Sequence, residues 1–335
     1  MNEAIPLTAP LAPSGLAHKN RSTGLTIFGI MTIMLGCLAG LLVLVMLAGQ
    51  AMAAKTAQAP ANFAAILPAL AVYAGLAAAL ICLGIGSMQA RRWARALLLI
   101  FSWSWLLIGI ITTVMMGFLM PKVMTNLASA GTAEQPALPP AAKDAVLVVM
   151  FLFCGIFMVG LPAVWVFFYG SCHVKATCET RDPRPCWTDA CPLPVLALCL
   201  WLLLGVPMML LMPIVGHGVM PFFGIFLTGL PGTLLCLALA ALWSYAAWLL
   251  YHLRVRGWWL ILIALLVFAA SGIVTFARHD FLEMYQLMGY PQAQIDQMRK
   301  TGLLTGNLMP WLMLISLLPF LGYLIFVKKY FRAKG

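Results

Sequence analysis

Eight apolar blocks, each of twenty residues or more, dominate this 335-residue chain. They fall at 24–49, 63–88, 96–119, 145–169, 193–216, 220–251, 257–277 and 307–328. A helix rises ~1.5 Å per residue, so about twenty residues cross the roughly 30 Å of hydrocarbon in a bilayer. Lipid offers no hydrogen-bond partner, and a helix lets each block satisfy its own backbone. Composition agrees: 63% of residues are hydrophobic and 9% are charged, against about 25% charged in soluble domains. The sequence therefore predicts an all-α fold, a polytopic transmembrane bundle of about eight spanning helices. Leu230-Pro231-Gly232 interrupts the sixth block, which predicts a kink or an interfacial turn there.

Basic residues give the expected orientation. Lys19 and Arg21, Arg91, Arg92 and Arg95, Lys175, Arg181 and Arg184, Arg254 and Arg256, and Lys328, Lys329, Arg332 and Lys334 share one side, which makes 14. Lys55, Lys122, Lys143, Arg278, Arg299 and Lys300 make 6 on the other. The excess marks the cytoplasmic side and puts both termini there, in the cell (inner) membrane. The net charge of +11 thus sits at block ends and does not call for nucleic acid. An alternative is a cleaved first block, because "AGQAMAAK" (48–55) faintly resembles a signal-peptidase site. That block is too long for an ordinary apolar h-region of roughly 7–15 residues.

Shifting the chain by 163 residues aligns 63–119 with 226–282 without a gap, at 15 identities in 57 positions. The informative pairs are Pro68/Pro231, Arg91/Arg254, Gly109/Gly272 and Thr112/Thr275. A looser match puts "GLPAVWVFFYG" (160–170) over "LLPFLGYLIFV" (317–327). The expected organisation is a cytoplasmic tail (1–23), a four-helix repeat (24–170), a cysteine-rich cytoplasmic loop (171–192), a second repeat (193–328) and a basic tail (329–335). Four helices per unit is an even number, so both units face the same way, a parallel 4+4 repeat. A site between the repeats would use equivalent positions, which nominates Gly109, Thr112, Gly272 and Thr275. Helix packing is the competing role for these small residues.

The loop "SCHVKATCETRDPRPCWTDAC" (171–191) carries four of the nine cysteines. A cytoplasmic position disfavours disulfides. Cys172, His173, Cys178, Cys186 and Cys191 are candidate zinc ligands, since thiolate and imidazole suit a tetrahedral site. The spacings C-x5-C, C-x7-C and C-x4-C lack the tight C-x2-C knuckle, so no metal centre is assigned. The alternatives are redox thiols or an interfacial linker with free cysteines, anchored by Trp187 and touching lipid headgroups through Lys and Arg. Cys37, Cys82, Cys154, Cys199 and Cys236 fall within blocks and read as small hydrophobes.

No Asp, Glu, Lys or Arg lies well inside any block, so a proton relay of the kind that pumps bury has no obvious members. His217 sits at the outer end of the fifth block, where solvation is the plain reading. H-E-x-x-H, P-loop and dinucleotide fingerprints are missing from the sequence. Between blocks, 120–144 reads as flexible around "AGTAEQPALPP". In 278–306, Phe281, Met284, Tyr285 and Met288 have helical spacing, which predicts a surface helix capping the bundle or binding an outer partner. The functional expectation is a non-enzymatic scaffold or partner-binding protein, contacting membrane lipids and a cytoplasmic protein through 171–192. The alternative is a facilitator of a hydrophobic or neutral solute working between the repeats.

Overall fold

Each apolar block forms a helix over most of its length, and several helices run past their blocks. The computed structural model describes residues 20–56, 63–129, 140–301 and 308–332. In chain order the first helices are α1 (Ser22–Thr56), α2 (Phe63–Met88), α3 (Arg92–Ser129) and α4 (Pro140–Cys154). A π-helical turn at Gly155–Gly160 carries α4 into α5 (Leu161–Gly170) as one rod. There follow α6 (Cys172–Arg181), α7 (Leu193–Val215), strands β1 (Met220–Phe222) and β2 (Ile225–Leu227), α8 (Gly229–Tyr251) and α9 (Val255–Arg278). Last come α10 (Phe281–Leu287), α11 (Gln292–Thr301) and α12 (Leu308–Arg332). Eight stretches are long and apolar enough to cross a membrane: α1, α2, α3, the α4–α5 rod, α7, α8, α9 and α12. The 23 residues of α7 reach about 35 Å. Phe118, Phe167 and Leu230 are 71%, 80% and 72% exposed, which water would penalise and lipid does not. The protein is a multi-pass membrane protein.

The spans pack in the same order in each half. α1 lies on α2, α2 on α3, and α3 on α5 and the π-turn; α7 lies on α8, α8 on α9, and α9 on α12. Each half has its own core. Leu25, Leu98, Trp165 and Tyr169 centre the first, and Val195, Leu196, Leu250 and Trp258 the second. Polar groups stitch each core from within. The Ser87 hydroxyl bonds the Leu25 carbonyl (3.1 Å) and Tyr169 (2.8 Å), and Trp258 Nε1 donates to the Leu324 carbonyl at 2.7 Å. The halves meet where α7 touches α2 and α3, and there Trp201 Nε1 donates to Ser104 Oγ at 2.8 Å.

Two corners match in detail. Helices α2 and α8 end in Schellman turns whose left-handed residues, Ala90 (φ 53°) and Leu253 (φ 55°), stand 163 positions apart. The Ala90 N–H bonds Ser87 O (2.9 Å) and the Arg91 N–H bonds Gly86 O (2.9 Å). The Leu253 N–H bonds Leu250 O (2.9 Å) and the Arg254 N–H bonds Leu249 O (3.0 Å), the same pairs shifted by 163. Each corner brings the next helix close against a small residue. In the first, a Cβ on Gly86 would meet Ala94 Cβ at 2.6 Å; in the second, a Cβ on Gly257 would meet Leu249 Cβ at 2.8 Å. The contacting positions are equivalent, with the glycine on opposite partners.

Two expectations need correction. The sixth block does not begin as a helix at 220: residues 220–227 form an antiparallel hairpin, with Met220 opposite Leu227. Its two-residue turn, Phe223-Gly224, has both φ angles positive (41° and 93°), the hairpin-favoured geometry. Pro231 then falls in the first turn of α8, where its missing N–H costs nothing. The linker is partly helical. It opens with α6, and only "DPRPC" (182–186) is irregular before a 3-10 turn at Trp187–Asp189. The second correction concerns 120–144, which reads as flexible in sequence: 120–129 continue α3 and 140–144 open α4, while 130–139 lie outside the described residues; over 278–306, α10 and α11 form.

A polar ladder running from α9 into α10 holds the hairpin. Ser271, Thr275, His279 and Glu283 follow at four-residue steps. Ser271 Oγ accepts from the Phe223 N–H and Thr275 Oγ1 from the Gly224 N–H, both at 2.9 Å. The His279 ring faces Gly224 O (3.1 Å) on one side and Glu283 Oε2 (2.9 Å) on the other. Phenylalanine in a left-handed conformation is strained, and these bonds hold it there. Thr275→Val should therefore lower stability by about 1–2 kcal/mol, the cost of a buried amide left without its acceptor. Thermal unfolding in detergent checks this, and a melting temperature equal to wild type would contradict it.

Candidate functional site

The linker is seated by charge on the neighbouring helix together with burial of Val174, Cys178 and Cys191. Asp182, just past α6, accepts the backbone N–H of Arg92 (3.4 Å) at the start of α3 and lies 3.8 Å from Arg91. A carboxylate suits a helix N-terminus, where backbone N–H groups lack partners. Arg92 reaches over α6 and the 3-10 turn, with Nη2 3.8 Å from Glu179 and Nη1 3.4 Å from Asp189. Asp189 also accepts the Cys186 N–H at 3.0 Å, which closes the 3-10 turn. Thr177 serves α1 in a similar way, its hydroxyl accepting the Arg21 N–H at 3.3 Å. Tyr251 donates to the Trp187 carbonyl (3.0 Å) and Tyr323 to the Pro194 carbonyl (2.7 Å). The linker is thus bonded to both halves.

Between α3, α6 and the 3-10 turn lies a cavity of about 440 Å³. Its polar wall is Arg92, Arg95, Lys175, Glu179, Thr188 and Asp189, and Leu99 and Leu193 supply apolar surface. Both carboxylates have partners: Glu179 lies 3.8 Å from Arg92 and 3.8 Å from Lys175, and Asp189 is held by Arg92. Arg95 is different. It is half-buried and takes part in none of the ion pairs among the described residues. Its Nε and that of Arg92 are buried without a hydrogen-bond partner. The Thr188 hydroxyl is likewise unpartnered, on a residue only 2% exposed. Such groups are rare in folded proteins, and each calls for an explanation.

The nominated zinc ligands do not converge. Among the described residues, no three His, Cys, Asp or Glu side chains stand close enough to hold a metal ion. All nine cysteines are free thiols. Cys172 is exposed, while Cys178 and Cys191 are buried and line the cavity. Cys186 is half-buried beside the 3-10 turn, and His173 is half-buried on α6. Burial pushes the Cys178 thiol up to about 11, only partly offset by the nearby Arg95 guanidinium. A thiol held that high stays protonated at neutral pH and is a poor nucleophile.

The four repeat-related positions keep to their own halves. A Cβ on Gly109 would fall on the Met158 carbonyl in the π-turn. Pro162 lacks the N–H that a carbonyl four residues earlier would use, so this carbonyl is left to rest against Gly109. Gly272 is covered by Met313 of α12, 2.8 Å from where its Cβ would be. Thr112 is exposed, whereas Thr275 is fully buried under the hairpin. His217 is exposed, as expected.

Sequence reasoning did not single out Arg95 and Thr188. Arg92 and Arg95 are spaced i, i+3 and so share one helix face, a signal that pointed at the linker acids. No family model, curated protein or solved structure matches this chain.

Thiol labelling checks the burial pattern. In detergent at pH 7, a maleimide should modify Cys172 quickly and leave Cys178 unmodified until the protein is denatured. Equal rates at the two positions would contradict the docked linker.

Proposed function

We propose that this protein is a non-enzymatic binding protein of the cell membrane that recognises a cytoplasmic ligand or partner at its inter-half linker. The observation that carries the reading is the linker cavity, in whose wall the Nε atoms of Arg92 and Arg95 and the Thr188 hydroxyl are buried without hydrogen-bond partners. Buried donors cost free energy when unmade bonds are left behind, and a ligand that completes them recovers it. The Cys178 thiol in the cavity wall is held protonated by burial, which counts against its use as a nucleophile. The excess of Lys and Arg at this end supports a cytoplasmic placement of the linker and both termini.

The halves are read as two like-facing copies of one four-span unit. Support comes from the 163-residue register, which carries the left-handed residues and hydrogen bonds of one corner onto the other. Transport of a neutral solute between the copies draws less support. The partners of Gly109, Gly272 and Thr275 lie within each half.

Cys172 is exposed at the linker and serves as the reporter in a variant whose other cysteines are replaced by serine or alanine. A membrane-impermeant maleimide should label it only after the cells are permeabilised. Labelling in intact cells would place the linker outside and end the cytoplasmic reading.

A further inference from the structure

We propose that the linker cavity binds a phosphate group through Arg92, Arg95, Lys175 and Thr188. The assignment rests on the binding-site reading above and gives that site its ligand chemistry. Three cations and two carboxylates line the cavity, so one positive charge is left over, and the ion-pair geometry places it on Arg95. Glu179 is shared between Arg92 and Lys175, and Asp189 between Arg92 and the Cys186 N–H. A guanidinium has donors only. What Arg95 lacks is therefore an acceptor, and the excess charge asks for an anion.

The second observation is independent of charge. Thr188 is 2% exposed, lines the same cavity and has no hydrogen-bond partner. Its hydroxyl comes from the linker, whereas Arg92 and Arg95 come from α3. A planar carboxylate is matched by one guanidinium fork. Donor residues on two separate elements suit an anion whose oxygens diverge, and a tetrahedral phosphate has that shape.

Position adds a third argument. The membrane-spanning part of α3 starts at Arg92 and that of α7 at Leu193. The cavity therefore lies where the helices leave the hydrocarbon, level with lipid headgroups. Basic pockets between spans at this depth take phospholipid headgroups, and Leu99 and Leu193 offer apolar surface beside the charges. The same donors would hold a soluble phosphate entering from the water side. Both sources share the phosphate group, and the experiment separates them.

The full-length protein, purified in detergent, is titrated with phosphatidylglycerol under native mass spectrometry. In parallel it is titrated with inorganic phosphate by calorimetry. Saturable lipid adducts that weaken about tenfold or more in Arg95→Gln, a loss of roughly 1.4 kcal/mol or more, assign the headgroup. Saturable heat with phosphate and the same loss assigns the soluble anion. Thr188→Ser should keep binding and Thr188→Val reduce it, while Arg184→Gln, exposed and outside the cavity wall, should match wild type. Melting temperatures of all variants separate lost binding from lost folding, and Arg95→Lys restores the charge if the glutamine variant melts early. No saturable binding in either titration, or an Arg95→Gln variant that binds as wild type does, overturns the phosphate assignment. The cell-labelling experiment reads orientation without any ligand, so failure of the phosphate assignment and failure of the cytoplasmic reading on which it rests give different results.

Discussion

The contact between Arg92 and the linker carboxylates is the one on which this end of the molecule depends. The linker buries a few apolar side chains of its own, Val174 and Cys178 in the first core and Cys191 in the second. Charge and backbone polarity offered by its neighbours hold the rest in place: Arg92 to Glu179 and Asp189, the α3 N-terminus to Asp182, and the α1 N-terminus to Thr177. Individually such pairs contribute little at an exposed surface, about 0–1 kcal/mol. Here they act together on one short segment, and α6 can form because both of its flanks are tied. A docked linker encloses space, and the cavity with its unpartnered Arg95 and Thr188 follows from that enclosure.

Eight spans and their order could be read from hydrophobic runs, because lipid forces each run to become a self-bonded helix. Elements whose conformation depends on distant partners could not. The 220–227 hairpin looks like the start of a helix by composition, and only Ser271, Thr275 and His279, some fifty residues later, make its strained turn worth forming. The same holds for the candidate site. The sequence drew attention to the cysteines of 171–191 because they are conspicuous. The structure instead assembles the site from arginines at a helix start and a threonine in a 3-10 turn. Arg92 and Arg95 were visible as charges for orientation, but nothing local marks which of them lacks a partner. Equivalent positions also diverge. Thr275 anchors the hairpin while Thr112 lies exposed, since only the second half carries a hairpin among the described residues.

The two ends of the bundle solve one problem by different means. Each must finish several helices and satisfy groups that no longer have intrahelical partners. At the hairpin end, side chains on α9 reach the backbone of a turn, and α10 and α11 cover the neighbourhood, with Leu282 and Ile295 almost wholly buried. At the linker end, backbone amides are met by Asp182 and Thr177, and side chains pair with side chains. In the first, the turn amides and the hydroxyls that hold them are all paired. The second leaves some donors over, and that difference is why the binding reading is placed at the linker.

The central claim is that residues 172–191 form a folded clasp tied to both halves. Hydrogen–deuterium exchange on the purified protein tests it directly. The account predicts slow exchange of the α6 amides, comparable with the ends of α3 and α7, and a marked rise when Arg92 is replaced by alanine. Exchange across the segment in the first seconds, as in a free loop, would contradict it.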